Sequence, residues 1–551
     1  MNLTVPIAMF GWLPVVLLLF WLLPARRAVT VSFLLAWLFL PIASFKLAEG
    51  IPQYDRMSAT CVAALVGALL FDTSRVLGYR FSLMDLPMLA WCLCDIPSSL
   101  SNNLGLYDGL SGVFRSVITW GLPYFIGRIY FSDREGLKEL ALAMVIGGLV
   151  YVPLCLFEVR MSPQLHYWIY GYYQHEFAQT KRWGGFRPMV FMEHGLMVGM
   201  WMCMTTLIAM WLSYARVFTR FWILPGWACA AALLVCAILC KSTGAIVLLV
   251  FGAAALWGSY LLGVRALAWL LVLIAPAYFI ARGVGARGGA DIGDTATTVY
   301  LAAAWLVALL VPAYFFILGT RRWNGAAIVE MVNALLGKAI LWLLVLAATV
   351  FVANRAISLC RSEVLAGLTT EWLGSDRGGS LVYRLRNEDA LAAKAMQRPI
   401  FGWGGWGRSR VVNEEGKDIS VTDGLWIIVL GQNGIVGYSA LCLAILLPAA
   451  MLLLRIRTAH WTSPEVAPAI VLAMVSVLYW IDCIPNGMVN PIFTLVVGGL
   501  AVPQLRRLTS GGRELDQRAA EALAVRRTSI RRTPELALRW DGRGVARGGA
   551  R

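Results

Sequence analysis

Two polar intervals of the chain concentrate arginine among glycines and aromatic residues. The longer, Arg384 to Gly437, carries Arg384, Arg386, Lys394, Arg398, Arg408 and Arg410 before Asn413. The shorter, KRWGGFRPMVFMEHG at 181–195, sets Arg182 and Arg187 on either side of Gly184-Gly185. A guanidinium fork makes two parallel, charge-assisted hydrogen bonds, so clustered arginines are first of all ligands for anionic oxygen. Groups able to move protons stand beside them. Pro188 can open a helix at its first turn, which places Glu193 and His194 near the outer edge of an apolar segment. Ionisable groups at such depth are functional by default; the plainer alternative is an interfacial pair in which Glu193 meets an arginine. Asp423 opens DGLWIIVLGQNGIVG, either as the N-cap of an apolar helix or as a carboxylate at a water-filled cavity. The chain has 4 His and 11 Cys without zinc-type spacing, so no metal is expected.

Composition says what must hold these groups. Of 551 residues, 59% are hydrophobic and 14% charged, with mean hydropathy +0.70. A soluble domain carries roughly 25% charge and about 45–50% apolar residues. That gap demands a bilayer. The expected fold is an all-α polytopic membrane protein of about 12–15 transmembrane helices, with a large periplasmic loop that carries short helices. The segments are 5–23, 29–45, 57–72, 84–98, 112–131, 139–157, 189–212, 222–240, 243–261, 264–281, 298–318, 338–355, 434–454, 467–483 and 489–505. Residues 5–23 lack a basic leader and read as a retained span. Most cysteines fall inside these segments and read as small buried hydrophobes rather than a disulfide framework.

The short loops with Arg26, Arg27, Arg75, Arg80, Arg128, Arg134 and Lys138 share one side, which the positive-inside rule makes cytoplasmic. The organisation expected is an N-terminal bundle over 1–355 with an outward loop at 158–188. A large outward loop follows at 356–433, then C-terminal helices at 434–505 and a basic cytoplasmic tail at 506–551. That tail holds 12 of the arginines behind the net charge of +16. Among Ala, Gly and Thr they read as a disordered segment near anionic membrane lipid, not a nucleic-acid arm.

Smaller patterns fill the loops. HYWIYGYYQHEF at 166–177 is an interfacial aromatic belt or a sugar-stacking platform. Asn387 to Gln397 carries the apolar stripe Leu391, Ala392, Ala395 and Met396, closed by Pro399, and reads as a short helix. PIFGWGGWG then reverses the chain, with Trp403 and Trp406 as anchors, and a glycine break is expected near Gly431–Gly434.

With these elements in place the chain resembles the O-antigen ligase and polysaccharide polymerase superfamily of bacterial inner-membrane glycosyltransferases. The matching residues are Arg384, then Pro399-Ile400-Phe401-Gly402-Trp403-Gly404, then Asp423-Gly424, Gln432 and Gly434-Ile435-Val436-Gly437. Arg182-x-x-Gly185-Phe186-x-Pro188 resembles a second element of that family, and Lys241-Ser242-Thr243-Gly244 stands where relatives have Ser-Arg-Gly. The departures are specific: Asp423 replaces a His, Gly424 an Asn, Gln432 a Glu and Thr243 an Arg.

The resemblance implies transfer of a glycan from an undecaprenyl-diphosphate donor to a glycan or lipid-linked acceptor on the periplasmic face of the inner membrane. Arg384 and Arg182 would grip the diphosphate and Asp423 would serve the acceptor hydroxyl. Arg187, Arg386, Arg115, Glu193, His194 and Arg408 would bind substrate. No cofactor is expected. Partners would be the donor, the acceptor, membrane lipids and a polysaccharide assembly machinery, with no nucleic acid. The competing classes are a lipid-linked oligosaccharide flippase or other multi-pass transporter, with Arg115, Asp85, Asp95 and Glu193 along its path, and an inactive relative that acts as an assembly partner. Transporters favour mid-membrane charge and internal repeats, whereas here the charge gathers at the outer boundary.

Overall fold

The computed structural model describes residues 2–48, 53–182, 184–263, 384, 387–388, 390–395 and 397–501. The expected spans at 264–281, 298–318 and 338–355, residues 356–383 of the large outward loop, Arg386 and the basic tail lie outside the described residues. The described part is mostly helical, with three two-residue hairpins as its only paired strands. Four of its helices are long and apolar enough to cross a membrane: Arg134–Met161, Gly195–Tyr214, Thr243–Leu262 and Leu425–Leu453. Thr4–Phe10 and Trp12–Leu22 form a fifth candidate, bent by 45°. Arg56–Phe71, Gly226–Leu239, Ala467–Cys483 and Pro491–Leu500 are shorter apolar helices. Leu18, Trp21, Leu70, Val235 and Val250 stay exposed on their outer faces. Apolar helices that keep such side chains outward fit a membrane-embedded protein.

The bundle is centred on Gly195–Tyr214 and Ala467–Cys483, whose residues are nearly all buried. Small residues bring neighbours close. A Cβ at Gly127 would meet the Leu495 carbonyl, and one at Gly498 would meet that of Tyr124, so the helices Leu122–Tyr130 and Pro491–Leu500 touch backbone to backbone. Helix starts carry side-chain caps where the chain turns. Asp55 and Ser58 form a capping box on Arg56–Phe71, Asp133 accepts from Gly136 N–H at 2.6 Å, and Asn490 accepts from Ile492 N–H at 2.9 Å.

Two further expected spans are broken. Residues 84–98 form helices Leu86–Leu93 and Asp95–Ser101 that meet at Cys94. Pro97 has no N–H to offer the Leu93 carbonyl, which ends the first helix there. Residues 112–131 begin earlier than expected, at Gly105, and pass through a π-helical turn at Val117–Gly121 before Leu122–Tyr130.

One end of the bundle collects the short basic loops. Arg26 binds Asp133 at 2.5 Å, Arg27 binds Glu139 at 3.5 Å, and Arg128 binds Asp85 at 2.8 Å with Tyr124 on the same carboxylate. The opposite end collects the segments around 39–56 and 166–193. Tyr170 and Tyr172 donate to the carbonyls of Phe39 and Ile42 at 2.7 and 2.6 Å, and Arg56 donates to those of Trp37 and Phe191. The helix Leu165–Tyr170 leaves Tyr167, Trp168 and Ile169 exposed, as either an interfacial belt or a sugar platform requires.

Candidate functional site

The shorter arginine interval folds as a hairpin that pairs Lys181 with Phe186 and Arg182 with Gly185, turning through Gly184 at φ +66°. This turn needs a left-handed residue, and glycine supplies it. The hairpin is held from below by Lys241. Its ammonium donates to the Arg182 carbonyl at 2.9 Å, and its own carbonyl accepts from Arg187 at 3.0 Å. Arg187 is only 7% exposed, and its Nε is a buried donor without a protein partner among the described residues. Burial, with repulsion from Arg182, lowers its pKa to about 10, so it stays charged at neutral pH. A buried guanidinium with an open donor is suited to an anion.

The longer interval arrives at the same place. Arg384 Nε lies 3.2 Å from Asp423 Oδ2. His194 lies within electrostatic reach of Arg187, Arg182 and Arg384, and the Arg187 side chain packs against Gly195 beside it. Burial first, then His175 and these arginines, lower the His194 pKa to about 4. His194 is therefore neutral near pH 7. Its Nδ1 accepts from Leu196 N–H at 3.0 Å, which makes it the N-cap of Gly195–Tyr214. Its role is to start a helix beside the arginines.

That assignment has a testable sign. Below pH 6.5 the unfolded chain takes up a proton that the folded site refuses. Stability is then flat above about pH 6.5 and falls as the pH drops toward about 4. His194→Asn keeps a capping acceptor and removes the titration. Thermal melting of the variant across that window should show a shallower acid-side loss than the native chain, with neutral-pH stability retained. An unchanged slope would show that His194 does not carry the titration.

Asp423 is not the helix cap. The N-cap of Leu425–Arg455 is Gly424, with no side-chain capping bond. The Asp423 carboxylate turns to Arg384, and its carbonyl accepts from Gly487 N–H. The glycine break stands at Gly434, with φ 65° and ψ −166°. The reversal PIFGWGGWG docks into this break. Trp403 and Gly404 N–H donate to the carbonyls of Gly431 and Gln432 at 2.8 and 3.0 Å, and Ile435 N–H donates to Pro399 O at 2.8 Å. The broken helix at Cys94 receives the loop from the other side. Asn102 donates to Gly402 O at 2.8 Å, Asn433 to Asp95 at 2.8 Å and Arg398 to Ser101 O at 2.9 Å. Of the two tryptophans, Trp403 is the anchor, with its indole N–H on Lys394 O at 2.7 Å. Trp406 is 80% exposed and anchors nothing, because positive φ at 406 turns it onto the rim.

Two clefts lie beside these elements. The larger, of about 760 Å³, is lined by Lys46, Asp55, Tyr107, Arg115, Trp406 and Gln432, among others. The smaller, of about 340 Å³, has Asp55, Arg56, Glu193, Met197 and Gly487 on its walls. Asp55 borders both, and Gly487 ties the smaller cleft to the Asp423 backbone. The expected site residues therefore divide into two groups. Arg182, Arg187 and His194 gather at the hairpin and Arg384 pairs with Asp423 within electrostatic reach of His194, while Arg115 lines the larger cleft and Glu193 the smaller one. Arg408 donates to Asn102 O at 3.2 Å, which makes it a brace for the loop.

Sequence reasoning missed Lys241 as the support of both hairpin arginines. It also missed Glu158, 1% exposed, whose carboxylate accepts from Met189, Val190 and Leu165 N–H and so fixes the turn before His194. Only Lys241 carried a signal, as the first residue of the quoted Lys-Ser-Thr-Gly motif. Comparison with known proteins finds no matching family, no matching curated protein and no matching solved structure.

Proposed function

We propose that the chain is a polytopic membrane glycosyltransferase of the O-antigen ligase and polysaccharide polymerase type, with its arginine-rich end on the periplasmic face. It would move a glycan from undecaprenyl diphosphate to an acceptor hydroxyl. The observation that carries this reading is the buried Arg187 with its open Nε, tied with the Arg182 backbone to Lys241, and the Arg384–Asp423 pair within electrostatic reach of the same His194.

The chemistry asks for little beyond this set. The acceptor oxygen forms a bond to the anomeric carbon while the bond from that carbon to the phosphate oxygen breaks. The diphosphate leaves with the electron pair, and arginine forks stabilise its growing charge. A diphosphate reaching Arg384 competes with Asp423 for the guanidinium. The released carboxylate is then free to orient the acceptor hydroxyl and take its proton. The clefts with Asp55, Glu193, Arg115 and exposed Trp406 offer the mixed hydrogen bonding and aromatic surface that a sugar uses.

The transporter reading fares less well on particulars. Asp85 is held by Arg128 and Tyr124, and Asp95 by Asn433 and Ser116, so both carboxylates are already engaged in fixing helices.

The test is a proteoliposome assay with a polyprenyl-diphosphate-linked glycan and a soluble or lipid-linked acceptor. The expected result is glycan on the acceptor with release of polyprenyl diphosphate. Movement of intact lipid-linked glycan across the bilayer without transfer would replace this reading by the transporter one.

A further inference from the structure

Three thiols meet inside the helical bundle, beneath the arginine hairpin, where Cys240 precedes Lys241. Cys155 belongs to Arg134–Met161; Cys236 and Cys240 belong to Gly226–Leu239 and its C-cap. Their sulfur atoms all lie within 4.8 Å of one another, and all three residues are buried.

The sequence explains the convergence once the helices are seen together. Cys236 and Cys240 are four residues apart and so share one face of their helix. Cys155 stands seven residues after Gly148, again on one face. A Cβ on Gly148 would lie 3.0 Å from Leu233, so the helices approach closely there. Leu233 in turn precedes Cys236 and Cys240 by three and seven residues. One glycine contact thus sets two facing stripes, and the thiols are their next common layer.

We propose that Cys155, Cys236 and Cys240 form a closed three-coordinate site for a soft monovalent metal ion, copper(I). Every donor in the group is sulfur, and thiolate ligands select soft ions. Structural zinc sites close with four ligands, whereas this group offers three. An ion centred in a sulfur triangle with bonds of about 2.3 Å needs sulfur–sulfur edges of about 4 Å. The observed spread reaches that size with a small contraction. Copper(I) displaces the three thiol protons to solvent, because the thiolate is the metal ligand, with no change of oxidation state. The Arg187 guanidinium, within electrostatic reach of Cys240, offsets part of the buried negative charge. This site is independent of the glycan-transfer reading.

The experiment uses the full chain, purified reduced in detergent and titrated anaerobically with copper(I) against a chromophoric copper(I) chelator. One equivalent per chain should be held, and melting should shift upward in its presence. Cys155→Ser, Cys236→Ser and Cys240→Ser should each weaken retention by at least the roughly 10–100-fold that loss of an outer-shell partner already costs. Cys61→Ser and Cys442→Ser should bind like the native chain. Copper K-edge absorption of the loaded native chain provides a reading free of folding effects, and three sulfur neighbours are expected. Absence of a retained equivalent, unchanged affinity in Cys236→Ser, nitrogen or oxygen ligation, or equal retention of zinc would each overturn the assignment.

Discussion

Arg384→Ala should lower glycan transfer by roughly 10²–10³-fold, the loss of about 2.7–4 kcal/mol that follows removal of one donor aimed at transition-state charge. Donor binding should weaken with it, because the same fork holds the diphosphate before reaction. Arg384→Lys keeps the charge and loses the fork, so it should recover only part of the rate. Asp423 separates two accounts of the site. If it takes the acceptor proton, Asp423→Ala and Asp423→Asn should both reduce turnover while lipid-linked donor still binds. Asp423→His, which puts a titratable base back at the position, should retain more activity than either. Normal transfer by Asp423→Asn and Asp423→Ser would show that the carboxylate does no acid–base work. With Gly424 as the cap, helix initiation cannot explain a loss in any of these variants.

Gly434→Ala should be more damaging still to the assembled site. At φ 65° and ψ −166° the backbone occupies a region essentially reserved for glycine, where a side chain costs about 1–3 kcal/mol. A Cβ there would also run into the Ile400 carbonyl. The clash is with backbone, so no flexible side chain can yield. The docked reversal then lifts from the break, and its backbone hydrogen bonds, worth about 0.5–1.5 kcal/mol each, are lost together. The expected result is a strongly lowered melting temperature, transfer near background and new protease cleavage around 399–410. Gly416→Ala is the control, since Gly416 also has positive φ, 77°, but faces open space. If the two variants melt alike, strain alone accounts for the effect and the loop does not depend on the break.

How much of this was legible depends on the range of the interaction. Apolar runs marked the long helices, because hydropathy is a local quantity. The break at Gly434 was legible too, since closely spaced glycines before an apolar run point to a backbone that leaves the helix. The break at Cys94 was not. Pro97 lies inside an apolar stretch whose composition outweighed it, although the missing N–H is itself a local fact. The two arginine intervals were read as outward loops, and only the resemblance, not periodicity, made Arg182 and Arg384 act together. Lys241 braces Arg182 and Arg187, and His194, at another helix end, is within electrostatic reach of Arg384. Asp423 went the same way: alone it is a good cap, and only the neighbouring Arg384 decides the direction of its carboxylate.

The clamp between the two broken helices also sets a timetable for biosynthesis. Asp95 receives Asn433 across 338 residues of sequence, and Asn102 waits for the Gly402 carbonyl. At about 5–20 residues per second, roughly 20–70 s of chain elongation separate the first partner from the second. Throughout that interval Asp95 and Asn102 are on a finished, apolar N-terminal segment while their partners have yet to leave the ribosome. The nascent chain must keep this edge hydrated or shielded until residue 433 emerges. Quality-control proteases that patrol the membrane would meet the half-made protein at this edge first.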